Sequence, residues 1–313
     1  MKITRKVVTV TLNPALDLTG TLDVLTLGSV SLVNEGTLHP AGKGVNVAQV
    51  LSDLGAEVTV TGFLGQDNQA AFVELFQSIK ANDQFVRIEG ATRINVKLVE
   101  ANGHVSDINF PGLQVRPEDI IRFEQTLESL SIDHDYFIFS GSLPQGISAQ
   151  RCASWIATLQ AKGKRVLFDS SRSALAEGLK AKPWMIKPND DELSELMQST
   201  FENEMELLEA AEQLSNQGIT HVVVSCGSKG VIWQHNRETY LAYPPSMNVV
   251  STVGAGDTFV GGFCWGAMQC FDQEEQLSFA TALSALAVGQ VGVGVPDITQ
   301  VCALQKQVSL SKR

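Results

Sequence analysis

Residues 251–262 read Ser-Thr-Val-Gly-Ala-Gly-Asp-Thr-Phe-Val-Gly-Gly, and they hold the chain's most concentrated chemistry. Gly254 and Gly256 can adopt backbone angles closed to other residues. Successive N–H groups of the turn can then converge on one anion as the chain enters a helix, whose N-terminus also favours negative charge. Asp257 would stand beside that anion. A carboxylate repels a phosphate, so its natural task there is to take a proton from an alcohol attacking the phosphate. A plain glycine turn with Asp257 capping the helix accounts for the same residues. The helix dipole is expected to hold an aspartate at this place at low pKa.

Other loops carry compatible chemistry. In Ala41-Gly42-Lys43-Gly44-Val45-Asn46, two glycines permit close backbone approach to a ligand, and Asn46 falls on the first turn of the next helix. This is not a Walker A loop: Thr37 replaces its first glycine, and Gly44 replaces the hydroxyl residue that would hold magnesium. Asn189 with Glu192 three residues on suits a capping box, and Glu192 could also reach a magnesium ion through water. Ser225, Gly227 and Gly230 belong to a loop after an apolar run, suited to a nucleotide's phosphates or to a hairpin turn. Arg93 and Lys97 share one face of an alternating segment and could meet a substrate phosphate or simply face solvent. Asp17 follows the first apolar run, where a carboxylate could accept sugar hydroxyls.

These residues need a scaffold that gathers loops at one edge. Apolar runs at residues 7–12, 58–64, 136–139, 166–168, 184–186 and 221–224 alternate with helical periodicity, as at Val47, Val50, Leu51 and Leu54. Asp67, Pro117 and Ser148 mark further helix starts. That rhythm predicts a doubly wound, mostly parallel α/β sheet with helices on both faces, binding ligands beyond the carboxyl ends of its strands. Half-polar strands within about 15–38 and 91–110, the second with an Asn102-Gly103 turn, predict a small β-sheet lid. The 313 residues form a single domain in this reading. A formal charge of −11 argues against nucleic-acid or anionic-membrane partners. Five scattered cysteines without metal-ligand spacing, and an N-terminus without a signal sequence, point to a cytoplasmic protein.

The order of these motifs resembles the ribokinase-like PfkB family of carbohydrate kinases. Residues 41–46, the glycines at 55, 62 and 65, and residues 251–257 carry the resemblance. Asn13-Pro-Ala-Leu-Asp17, residues 92–97, Ser140-Gly-Ser-Leu-Pro144 and Lys187-Pro-Asn189 are similar to its phosphosugar branch. The resemblance implies transfer of the ATP γ-phosphoryl group to O6 of fructose 1-phosphate, with tagatose 6-phosphate or fructose 6-phosphate as the alternative acceptor. It implies Asp257 as the base and residues 254–256 as the anion hole. Asp17, Gly42, Lys43, Asn46, Arg93 and Lys97 fall on the sugar side; Asn189, Ser225, Gly227, Gly230 and Gly256 fall on the ATP side. Glu192 is implied at Mg2+ through water, and the lid in a homodimer. A dinucleotide-dependent oxidoreductase is disfavoured because Asn13-Pro14 follows the first strand where a Gly-x-Gly-x-x-Gly turn would be needed. A non-catalytic nucleotide sensor would be expected to lack Asp257.

Overall fold

The computed structural model describes residues 5–290 and 292–313; the N-terminal Met-Lys-Ile-Thr segment lies outside the described residues. The first strand, Lys6–Thr11, is apolar or Thr after Lys6 and lies inside the large sheet, with neighbours on both sides. On one side it pairs in parallel with Glu57–Gly65, and on the other with Tyr136–Ser140. Beyond the latter come Arg165–Asp169, Met185–Ile186 and His221–Ser225, all parallel. Val231–His235, Glu238–Tyr243 and Ser309–Lys312 then extend the sheet antiparallel. The sheet is mostly parallel, as the strand–helix rhythm requires.

Period-two alternation divides its side chains between two cores. Val8, Val10, Phe137, Phe139 and Phe168 pack against Phe123, Trp155, Leu193 and Leu214 of helices on one face. Val7, Val58, Tyr136 and Ile138 pack against Val47, Leu51, Phe259 and Phe263 on the other. Neither set of helices covers the carboxyl ends of the strands, where the loops lie.

The second sheet comprises Glu35–Ala41, Ala15–Leu22, Ile94–Glu100 and Val105–Ile108, in that order. Gly103, at φ 87°, makes the expected turn between its last two strands. Asp67 does not cap the helix Ala70–Ser78, whose N-cap is Gln69. The intervening chain is instead tied sideways, with the Asp67 N–H on the Gly90 carbonyl and Asn68 on both backbone groups of Thr92.

Candidate active site

A cleft of about 1360 Å³ lies where the small sheet meets the carboxyl edge of the large one. Of the residues singled out by sequence, Asp17, Gly42, Lys43, Asn46, Arg93, Asn189, Glu192, Ser225, Gly227, Gly230 and 254–257 line it. Lys97 does not. It shares the face of Arg93 and Asn95, but antiparallel pairing sets Asp107 opposite it, and its Nζ is 3.3 Å from that carboxylate.

Gly254, at φ 81°, is the N-cap of the helix Ala255–Gln269. The Ala255 N–H turns back to the Thr252 carbonyl at a long 3.4 Å, while among the described residues the N–H groups of Gly254 and Gly256 have no internal acceptor. Unsatisfied donors at a helix start are an anion site.

Asp257 lies in the first turn and makes no capping bond, which removes the helix-cap reading. Its Oδ2 accepts a hydrogen bond from Asn46 Nδ2 at 2.7 Å. The expectation of a low pKa is also overturned. Burial pushes the Asp257 carboxyl up to about 6, and the neighbouring Asp169 adds to the rise. The Asn46 hydrogen bond and the ammonium groups of Lys43 and Lys187 oppose it only in part. Desolvation by burial outweighs a screened helix terminus here.

Asp169 and Lys187 were not assigned a role from sequence. Asp169 ends the strand Arg165–Asp169, buried, with Lys43 Nζ at 3.3 Å and Lys187 Nζ at 3.5 Å. Burial tends to lower the Lys43 pKa, but Asp169, Asp257 and Glu192 outweigh it, and the net shift is upward. A Cβ built on Gly256 would stand 3.4 Å from Lys187 Nζ, so the missing side chain leaves this ammonium facing the helix start. The available signal is a charged residue closing an apolar run, Asp169 after 166–168 and Lys187 after 184–186.

On the opposite side, Gly42 and Gly44 bring the helix Lys43–Asp53 against the first strand; a Cβ on Gly44 would fall 2.3 Å from Thr11 Oγ1. Asp17 accepts from Asn95 Nδ2 at 3.1 Å, which leaves its second oxygen for a ligand hydroxyl. Arg93 is less available than expected. Its guanidinium donates to the carbonyls of Asn13, Pro14 and Phe110 at 3.0, 3.3 and 3.1 Å, and burial lowers its pKa.

Asn189 and Glu192 form the full capping box of the helix Asp190–Met197: Asn189 Oδ1 accepts from the Glu192 N–H and Glu192 Oε2 from the Asn189 N–H. Glu192 Oε1 is left uncommitted beside the cleft. Residues 225–230 are a hairpin connection, with Gly227 at φ 55° and Gly230 at φ 108°, and Ser225, Gly227, Ser228 and Gly230 also line the cleft. Each loop thus fills its structural role while standing on the cleft wall. Pro244, Pro245, Met247, Val253 and Val288 give the same end an apolar wall suited to a flat heterocycle. Among the described residues, no three His, Cys, Asp or Glu side chains could together hold a metal. This donor set fits a hard cation that brings most of its oxygen ligands as nucleotide phosphates and water.

An anion-binding helix start, a buried carboxylate and a polar lid on a mostly parallel sheet define a sugar kinase with the ribokinase-like fold. The chain matches the pfkB family carbohydrate kinase model over residues 10–300, and it belongs to that family. It is 60% identical to the 1-phosphofructokinase of Vibrio cholerae serotype O1, over 99% of this chain and 98% of that protein. Identity to the Escherichia coli K12 1-phosphofructokinase is 46%, over 98% and 99%. The crystal structure of E. coli phosphofructokinase-2 with potassium superposes with a TM-score of 0.90 at 26% identity, over 98% of this chain and 99% of that one. No described helix is long and apolar enough to cross a membrane.

Proposed function

We propose that this protein transfers the γ-phosphoryl group of ATP to O6 of fructose 1-phosphate, giving fructose 1,6-bisphosphate and ADP, in the cytoplasm. The observation that carries the reading is end-to-end identity of 60% to a 1-phosphofructokinase, in a chain whose Asp257 is buried beside an open helix start. A 6-phosphate acceptor has weaker support, because the similar phosphofructokinase-2 structures are only about a quarter identical.

Asp17 and Asn95 orient the sugar hydroxyls. The N–H groups of residues 254–256 receive the transferring phosphoryl group, and the ammonium groups of Lys43 and Lys187 offset its charge. Asp257 takes the O6 proton as the bond to phosphorus forms; a carboxyl near pKa 6 is ionised at neutral pH and basic enough to accept it. Positioning and charge neutralisation supply most of the rate, since phosphoryl transfer asks little covalent work of the protein. Glu192, with an uncommitted carboxylate oxygen beside the cleft, would hold a nucleotide-borne Mg2+ through water, and the ion would supply neutralisation of phosphate charge. Asn189 and the loop 225–230 hold the nucleotide, and lid closure keeps water from acting as acceptor.

The lid also supports a homodimer. Asp17 and Asn95 point into the cleft, so strand alternation puts Leu18, Leu38, Val96 and Ile108 on the other face, in register with one another. Leu38 and Ile108 are about half exposed, an apolar surface that a second lid would cover. The function is tested by ADP release with fructose 1-phosphate, fructose 6-phosphate and tagatose 6-phosphate. The highest kcat/KM is expected for the first, and a better rate constant with either of the others rejects the assignment.

A further inference from the structure

We propose that Arg172 binds the phosphate that the acceptor sugar already carries. The inference rests on the reading above that the acceptor is a sugar phosphate. Among the described residues, four cations line the cleft: Lys43, Arg93, Arg172 and Lys187. Both lysines face Asp169, and the Arg93 guanidinium is held by three carbonyls. Arg172 is exposed, and it alone of the four has no hydrogen-bonding or ionic partner among the described residues. A dianionic acceptor therefore finds an uncommitted guanidinium at this one position.

The backbone of Arg172 is also unusual. It sits at φ 54°, in the left-handed region. Other described non-glycine residues with positive φ have local reasons for it. Lys182, Gln198 and Cys270 end helices, Lys80 follows a helix end, and Asn236 and Arg237 make a hairpin turn. Arg172 instead begins one, the helix Arg172–Gly178. Strain without a local structural reason points to function.

Its location favours the acceptor over the nucleotide. Ser170 Oγ donates to the Gly141 carbonyl at 2.9 Å, fixing this segment to the loop that carries Ser142. Ser142 in turn accepts from Asn13 Nδ2, at the base of the lid. The nucleotide-side loops at 189 and 225 follow the next two strands along the sheet. A guanidinium at the acceptor end can grip a phosphate through two N–H groups at once.

The test compares KM values of the wild type, Arg172→Gly and Arg172→Lys. Glycine suits the left-handed backbone, so Arg172→Gly is expected to keep its thermal midpoint, and any kinetic loss is then not misfolding. KM for fructose 1-phosphate should rise at least about tenfold in Arg172→Gly and less in Arg172→Lys, with KM for ATP within about twofold. The preference for fructose 1-phosphate over fructose should fall in step. An unchanged KM for the sugar phosphate, or a rise confined to ATP, overturns the proposal. If the wild type prefers a different sugar phosphate, the functional reading fails, and the same comparison with that acceptor decides the role of Arg172. A wild type that prefers an unphosphorylated sugar defeats both.

Discussion

Asn46 Nδ2 and Asp257 Oδ2, separated by 211 positions in the chain, lie 2.7 Å apart, and through this bond a residue at the start of one helix orients the carboxylate at the start of another. The same contact stabilises the ionised form of a group that burial pushes towards neutrality.

The Asp257→Asn variant should fold normally and lose activity. Its kcat is expected to fall about 10²- to 10⁴-fold, the usual cost of a lost general base. Because the native carboxyl has its pKa raised from 3.8 to about 6, it favours folding in its protonated form, and that contribution is lost as pH rises through 6. The thermal midpoint of the variant at pH 8 should therefore equal or exceed that of the wild type. Near-normal turnover would remove Asp257 from the mechanism.

The acid limb of kcat/KM against pH should have an apparent pKa near 6. Asn46→Ala removes a contact that lowers the pKa of Asp257, and should move the limb to higher pH. Asp169→Asn removes a neighbouring negative charge and should move it lower. Identical limbs in all three proteins would assign the ionisation to another group.

The lysine pair is tested by Lys187→Met. Removing a buried ammonium that faces Gly256 should lower kcat at least about tenfold with a smaller change in KM for fructose 1-phosphate, since the charge it offsets grows during transfer. An effect confined to KM for the sugar would place Lys187 in acceptor binding.

Two glycines separate packing from chemistry. In Gly44→Ala the new methyl would fall 2.3 Å from Thr11 Oγ1 and 3.0 Å from the Val10 carbonyl, so urea unfolding should report a loss of about 1–3 kcal/mol. In Gly254→Ala it would fall 2.6 Å from Val293 Cγ2 at φ 81°, and activity should suffer more than stability because the turn carries the anion site.

Sedimentation tests the lid interface. Leu38→Glu or Ile108→Glu places a charge on the apolar face and should shift a wild-type dimer towards monomer, with the large domain still folded. A wild-type protein that sediments as a monomer rejects this arrangement.

The sequence by itself determined the elements and most of the loops of the site. Apolar runs set the strands, helical spacing set the faces, and Gly254, Gly256 and Asp257 marked the helix start that lines the cleft as the candidate site. These are local properties of residue type and spacing, and they survive folding. Tertiary structure decided what each charge faces. Burial made Asp257 a stronger base than its helix position implied, because desolvation depends on everything packed around it. Strand register gave Lys97 to Asp107, and backbone carbonyls from distant loops took up Arg93. Asp169 became the centre of the lysine pair only when the ends of separate strands met. Charges interact through space, and the distances between these groups exist only in the folded chain.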